Sequence, residues 1–335
     1  MPSFTIALTD KNLRHSLMVS QELQAAGFNF VYQNCQNFED IVNLAKDCDV
    51  LWIYGSRVPI NGQHFAQMPN CKAVIRSGSG VDQIDVEDAS QAGLVVVNIP
   101  HAHHEAVSDH TIALIFAVGR RIVSQDSSLR QAGWAKSYEK LPLWKLNGKT
   151  LGLIGFGLIP RMLVKKLKGF KLDIIVHDPF IDPASLAKEG LRAGSLAEVL
   201  RESQIVSLHT PLTKATHHLI SDEALALMRK DAILINTSRG PVVNERALVK
   251  ALEDEQIAGA GLDVFEQEPI SPDNPLLKLD NVVLTPHRAG VSDDSIELTW
   301  RLSVEACKDL AEGYYPRSYV NPNVKPKVPF KASRH

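Results

Sequence analysis

No apolar run in this chain stays free of polar residues for long enough to span a bilayer, so membrane insertion is not expected. Charge of one sign is also missing. Lys and Arg number 36 against 38 Asp and Glu, and a formal net charge of -2 provides no broad basic field for nucleic-acid phosphates. Cysteine is scarce: Cys35, Cys48, Cys71 and Cys307 fall in no CxxC or CxxH spacing, so neither a disulfide framework nor a zinc site is suggested and reduced thiols are expected. Nor does a basic, apolar and small-residue signal series precede the first strand-like run, Phe4-Thr5-Ile6-Ala7-Leu8, and a cytoplasmic address is the expectation. Internal repeats are lacking as well. The segment Tyr314 to His335, rich in Pro and basic residues, is expected to end in disorder.

What the chain has is length and alternation. Its 335 residues exceed the size at which one hydrophobic core stops growing, which predicts two domains. Apolar strand-like runs alternate with helix-period segments, the pattern of parallel sheets covered by helices on both faces. Thr5 to Leu8, Asn29 to Tyr32, Val50 to Ile53, Ala73 to Arg76 and Val95 to Asn98 make a first sheet. Thr150 to Ile154, Asp173 to His177, Ile205 to His209, Ala232 to Asn236, Gly259 to Asp263 and Val282 to Thr285 make a second. Two long amphipathic segments, Glu105 to Arg121 and Asp294 to Glu312, read as connecting helices.

Strand Thr150 to Ile154 runs into Gly155-Phe156-Gly157-Leu158-Ile159-Pro160 and then a helical stretch. Gly155 permits a tight turn, Gly157 lets a pyrophosphate approach the backbone, and the helix N-terminus aims free N–H groups at the anion. Pro160 stands where a third glycine is usual. A first helical turn tolerates it, but the helix-to-strand contact is placed in question. The next strand ends in Asp178, 21 residues beyond Gly157, as an acidic group for ribose hydroxyls should. An aspartate there repels a 2′-phosphate, and Pro179-Phe180 brings no arginine to receive one, which favours NAD over NADP.

Five segments in order carry a family resemblance. They are Arg76-Ser77-Gly78-Ser79-Gly80-Val81-Asp82-Gln83-Ile84-Asp85, the loop Gly155 to Pro160, Asn236-Thr237-Ser238-Arg239-Gly240, Gly261-Leu262-Asp263-Val264-Phe265-Glu266-Gln267-Glu268-Pro269, and Thr285-Pro286-His287-Arg288-Ala289-Gly290. Together, over roughly residues 45 to 320, the chain resembles the D-isomer-specific 2-hydroxyacid dehydrogenases, a family with phosphoglycerate, glycerate, lactate and glyoxylate/hydroxypyruvate members. The resemblance implies an α/β fold in which a Rossmann-type NAD-binding domain is inserted into a flavodoxin-like substrate domain. The substrate domain would comprise residues 1–100 and 292–335, the NAD-binding domain residues 101–291, with the active site in the cleft between them.

The implied reaction moves a hydride between NAD(H) and a small D-2-hydroxy acid or 2-oxo acid. Arg239 matches the family arginine, whose planar fork grips the carboxylate and polarises the 2-oxo group. His287 matches the general acid and base, and Glu268 its acidic partner, whose charge favours the imidazolium. Formate-oxidising relatives carry an amide at the Glu268 position, so formate is disfavoured. Asp263 resembles the residue that hydrogen-bonds the nicotinamide carboxamide. The turn at Ser77 and Gly78 is implied to bind the substrate carboxylate through backbone N–H groups. Cofactor contacts are further implied for Gly155, Gly157, Leu158, Ile159, Asp178, His209, Thr210, Pro211, Thr237, Ser238, His287 and Gly290.

No metal is expected. His101, His103 and His104 cluster near the hinge, but no second acidic or Cys cluster accompanies them and the chemistry needs no ion. Arg57 and Arg76 leave a phosphorylated substrate open, and the chain after the second connecting helix is short for the regulatory domain of many phosphoglycerate members. A homodimer is expected, with contacts on the helix Val107 to Arg121 and on the arm Gln131-Ala132-Gly133-Trp134. The rival reading is an NAD(H)-responsive corepressor-like binding protein on the same fold.

Overall fold

A computed structural model of the chain describes residues 4–10, 13–56, 58–134 and 143–335, the helical residues 13–18 by their backbone alone. Arg57 lies outside the described residues, as does the chain immediately after Trp134. The chain divides into two compact units: residues 1–103 with 292–335, and residues 104–291.

The first unit runs β1 (Thr5–Asp10), α1 (Leu13–Ala25), β2 (Asn29–Gln33), α2 (Phe38–Ala45), β3 (Val50–Tyr54), α3 (Gly62–Ala66), β4 (Ala73–Arg76), α4 (Val86–Gln91) and β5 (Val95–Asn98). Its five strands are all parallel, in the order β2-β1-β3-β4-β5, the flavodoxin-like arrangement. Because successive strand residues face opposite sides, one sheet fills two cores. Ile6, Leu8, Trp52, Ile75 and Val97 lie in one, and Ala7, Leu51, Ile53, Val74 and Val96 in the other. The last helix of the chain, α12 (Asp293–Ala311), begins with a capping box from Ser292 and Ser295 and contributes Trp300, Val304 and Cys307 to the first of these cores.

The second unit opens with α5 (His104–Gly119) and α6 (Ile122–Ala132). It continues through β6 (Thr150–Ile154), α7 (Leu158–Leu167), β7 (Asp173–His177), α8 (Pro183–Lys188), β8 (Arg192–Ala193), α9 (Leu196–Glu202), β9 (Ile205–Leu208), α10 (Asp222–Leu227), β10 (Ile233–Asn236), α11 (Glu245–Glu253), β11 (Gly259–Leu262) and β12 (Val282–Leu284). The sheet is parallel, ordered β12-β11-β10-β9-β6-β7-β8. Strand order reverses between β9 and β6, the switch point at which open α/β sheets bind ligands beyond their strand ends. Two-residue β8 is too short to leave a sequence signal. Pro160 is buried as the third residue of α7, where its missing N–H would have no intrahelical partner, and Leu163 and Leu167 seat the helix in the core.

Expected disorder at the C-terminus is not what the fold contains. Val320 N donates to Val96 O, the Asn321 carboxamide oxygen accepts from Val96 N at 2.9 Å, and Lys327 N donates to Gly93 O. This segment therefore covers the edge strand β5, whose backbone would otherwise be open to pairing. Composition alone misjudged it because its Pro-rich backbone is held by partners distant in sequence. Further on, Arg334 and His335 pair with Asp309, 1% exposed on α12. Glu305, Asp309 and His335 are the one group with metal-ligand proximity among the described residues, and Arg317 and Arg334 already pair with its carboxylates.

Candidate active site

At the switch point, the paired ends Ile154 and Leu208 bring the two following loops together. His209 N donates to Ile154 O at 2.7 Å. Gly155 has φ +88, and a Cβ there would stand 2.8 Å from the His209 carbonyl, so both conformation and space require glycine. At Gly157, the N-cap of α7, a Cβ would meet nothing within 4 Å, leaving an open cradle ahead of the amides of Leu158 and Ile159. The Asp178 carboxylate accepts from Phe156 N at 2.8 Å and from Phe180 N at 2.9 Å, which ties the glycine loop to the end of β7. Each carboxylate oxygen keeps acceptor capacity for a ribose hydroxyl.

His209 pairs with the Ser207 hydroxyl at 2.9 Å. Protein encloses its ring although the residue keeps some solvent contact, and burial pushes its pKa down to about 3. The neighbouring Thr210 hydroxyl is buried with no hydrogen-bond partner among the described residues. An orphan hydroxyl, an open glycine cradle and an acidic strand end fit a dinucleotide, whose polar groups would complete them.

Next along the sheet, Asn236 organises the turn that carries Arg239. Its side-chain oxygen accepts from Ser238 N and Ser238 Oγ, and its amide donates to Arg239 O at 3.0 Å. Arg239 Nη1 donates to Ser238 O. At Gly240 a Cβ would stand 1.9 Å from Phe265 O, so only glycine lets this turn press against the loop that carries Glu268. Asn236 had no assigned role on sequence grounds; an Asn followed two residues later by Ser is the Asx-turn signal that could have marked it.

His287 and Glu268 meet: Nδ1 lies 2.7 Å from Oε2, while Glu268 Oε1 accepts from Phe265 N. The carboxylate fixes the proton on Nδ1 and leaves Nε2 as the nitrogen able to exchange one with substrate. His287 has φ +54, a left-handed backbone that costs a non-glycine residue roughly 1–2 kcal/mol. Such strain persists only where the surroundings over-determine it. Here His287 N donates to Asp263 O and Thr285 O.

Asp263, 1% exposed, has a carboxylate engaged by protein: Thr285 Oγ1 at 2.6 Å, Arg288 N at 2.8 Å and Ala289 N at 2.8 Å. It brackets His287 from both sides and so organises the loop that carries it. Thr237, the other residue beside the Arg239 turn, pairs with Thr111 on α5 at 3.0 Å.

In the first unit, Ser77 and Gly78 occupy a tight turn after β4. Ser77 N donates to Ile53 O, Gly78 N to Arg76 O, and the Ser77 hydroxyl pairs with Trp52 Nε1 and Ser303. The donors expected of these two residues are thus already engaged inside the unit. Among the described residues, Ser79 N and Gly80 N have no protein acceptor. Arg76 Nη1 turns back to Ser77 O.

Comparison with known proteins gives this geometry a family. The NAD-binding domain model of the D-isomer specific 2-hydroxyacid dehydrogenases matches residues 112–289. A glyoxylate reductase of Korarchaeum cryptofilum is 40% identical over 287 residues, covering 85% of this chain and 86% of that protein. A D-3-phosphoglycerate dehydrogenase of Methanocaldococcus jannaschii is 37% identical over 289 residues, but the match spans only 54% of that longer protein. Among solved structures, D-lactate dehydrogenase from Aquifex aeolicus complexed with NAD and lactic acid is similar with a TM-score of 0.82 and 28% identity, over 92% of this chain and 96% of that one. The chain belongs to the D-isomer specific 2-hydroxyacid dehydrogenase family. Its chemistry is NAD-linked interconversion of D-2-hydroxy acids and 2-oxo acids, and these matches to dehydrogenases do not favour the corepressor-like alternative.

Proposed function

We propose that this chain is an NAD-dependent reductase of small, unphosphorylated 2-oxo acids, with Arg239, Glu268 and His287 as its working set. The observation that carries the reading is the 2.7 Å pair of His287 Nδ1 with Glu268 Oε2 on a histidine held in a left-handed backbone. A dinucleotide held at the loop Gly155 to Gly157 and at Asp178 would supply or accept the hydride at the substrate's C2. Arg239 grips the substrate carboxylate and draws electron density from the 2-oxo group. His287 Nε2 gives its proton to the developing alkoxide during reduction and takes it back during oxidation. Glu268 holds the imidazole in one tautomer and orientation. Asp178 receives the ribose hydroxyls and repels a 2′-phosphate, so NADH is preferred.

Small 2-oxo acids are the proposed substrates because the similar proteins include glyoxylate reductases matched over most of their length. A cytoplasmic address belongs to the same reading, supported by four buried cysteines in the thiol form. No helix among the described residues is long and apolar enough to cross a membrane. The reading includes a homodimer. Trp134 is 89% exposed, α6 has no buried residue, Ile122 and Leu129 are exposed on it, and the exposed Val123 lines a cleft of about 390 Å³ together with Leu143, Trp144 and Val282. A second copy placed there would cover this apolar surface.

A panel of 2-oxo acids, phosphorylated and not, assayed with NADH and NADPH tests the proposal. Turnover of glyoxylate or hydroxypyruvate with NADH is the expected result. Absence of turnover on every acid, with NADH still bound, would overturn it.

A further inference from the structure

Two consecutive residues of α5, neither assigned a role above, reach the two loops that carry the chemistry. His110 Nε2 lies 2.9 Å from Thr285 Oγ1, and Thr285 Oγ1 donates to Asp263 Oδ1 at 2.6 Å. A hydroxyl has one proton, and Thr285 gives it to Asp263, so His110 Nε2–H must be the donor to Thr285. The chain of bonds has one direction, from His110 through Thr285 to the carboxylate that also takes Arg288 N and Ala289 N. His110 Nε2 is itself 3.6 Å from Asp263 Oδ1.

Thr111, fully buried, donates to Val107 O at 2.8 Å and pairs with Thr237 Oγ1 at 3.0 Å. Thr237 stands two residues before Arg239, in the turn fastened by Asn236. Side chains at i and i+1 of a helix point about 100° apart, so α5 can hold the chain just past β12 with one residue and the chain just past β10 with the next. Packing does not require these residue types: α5 already seats Leu114 and Ile115 in the core one turn further on.

We infer that His110 and Thr111 are positioning residues of the reaction, His110 orienting the His287 loop through Thr285 and Asp263, and Thr111 orienting the Arg239 turn through Thr237. The inference rests on the roles proposed above for His287 and Arg239. Neither residue touches the reacting atoms. The two act on different parts of catalysis, proton delivery and carboxylate grip, and this division separates positioning from general stability.

His110→Leu should lower kcat roughly 10-fold or more, with the KM for the best 2-oxo acid and NADH affinity within about twofold, because a small misplacement of a catalytic group slows chemistry steeply. His110→Gln, whose amide can still donate to Thr285, should recover most of that loss. Thr285→Val should reproduce the His110→Leu defect, and the double variant should add little to it. Thr111→Val, nearly unchanged in shape, should instead raise KM about fivefold or more with a smaller effect on kcat.

A readout independent of turnover accompanies these rates: the NMR signal of the His287 Nδ1 proton, assigned by its loss in His287→Gln. It should shift or broaden in His110→Leu and return in His110→Gln. Turnover by the parent with kcat and this signal unmoved in His110→Leu would sink the inference while leaving the proposed function standing. Equal losses in kcat, KM and thermal stability without rescue by Gln would reduce His110 to a fold residue and overturn it as well. A signal that responds as expected in a protein that reduces no 2-oxo acid would support the positioning and overturn the function.

Discussion

Glu268 Oε2 sits 2.7 Å from His287 Nδ1, while the other oxygen of the same carboxylate accepts from Phe265 N, so the acid is anchored to its own loop as it holds the imidazole. His287→Ala should lower kcat at least about 100-fold with NADH affinity nearly unchanged, the loss expected when a positioned proton carrier is removed. Glu268→Gln keeps the shape of the contact and should cost less, roughly 10-fold. Steady-state kinetics with the best 2-oxo acid and fluorescence titration of NADH check both. Near-full turnover by His287→Ala would mean that another group carries the proton.

The Asp178 carboxylate accepts from Phe156 N and Phe180 N, and in the proposed function its charge opposes a 2′-phosphate. The parent should use NADH with higher kcat/KM than NADPH. Asp178→Ala should narrow the ratio mainly by weakening NADH, since the ribose acceptor and the loop tether go together. Equal efficiencies in the parent would remove the basis for NAD preference.

Gly240 has no room for a side chain, a Cβ there standing 1.9 Å from Phe265 O. Gly240→Ala should destabilise the protein by roughly 1–3 kcal/mol in urea unfolding and should raise KM for the 2-oxo acid, because the clash pushes the Arg239 turn away from the Glu268 loop. A variant with parent-like KM and unfolding midpoint would show that the turn can yield without effect.

His209 links stability to acid. Its pKa is about 3 in the fold against an ordinary 6.5, so between these values the unfolded chain binds a proton that the native chain refuses. The sign follows: this group's effect is absent above pH 6.5, and stability falls as pH drops from 6.5 towards 3, by at most about 1.4 kcal/mol per pH unit. His209→Gln should flatten that part of the profile. Parallel curves of unfolding free energy against pH for parent and variant would contradict the assignment.

Trp134 extends into solvent beyond α6, 89% exposed in the single chain. Light scattering at micromolar concentration should give the mass of a dimer, and Trp134→Ala should weaken it by about 2 kcal/mol or more if the indole is a central anchor. A monomeric parent would defeat the assembly proposal. A dimer indifferent to Trp134→Ala would defeat only the role given to that side chain.

Local rules were enough to read the strands Ala73–Arg76, Thr150–Ile154 and Asp173–His177, because buried parallel strands need short apolar runs whatever surrounds them. They were also enough for the tight turn at Gly155 and the strand end just before Asp178, since a strand and a glycine turn are close in sequence and answer to backbone sterics. The order of motifs from Arg76 to Gly290 carried the family. Other features depend on partners far along the chain, and only the tertiary structure decided them. Ser77 and Gly78 offer two backbone donors in sequence, but in the fold Ile53 O accepts from Ser77 N, Arg76 O accepts from Gly78 N, and the Ser77 hydroxyl pairs with Trp52 Nε1 and Ser303. The Pro-rich tail looks disordered until Asn321 meets the edge of β5, 225 residues away in sequence. Asp263 becomes the brace of the His287 loop only when Thr285, Arg288 and Ala289 converge on it, and His110 joins them from a helix 175 residues before Thr285. The physical reason is the same in each case: a hydrogen-bond donor or acceptor is visible in sequence, but whether another part of the protein already satisfies it is settled by which distant segments the fold brings within 3 Å.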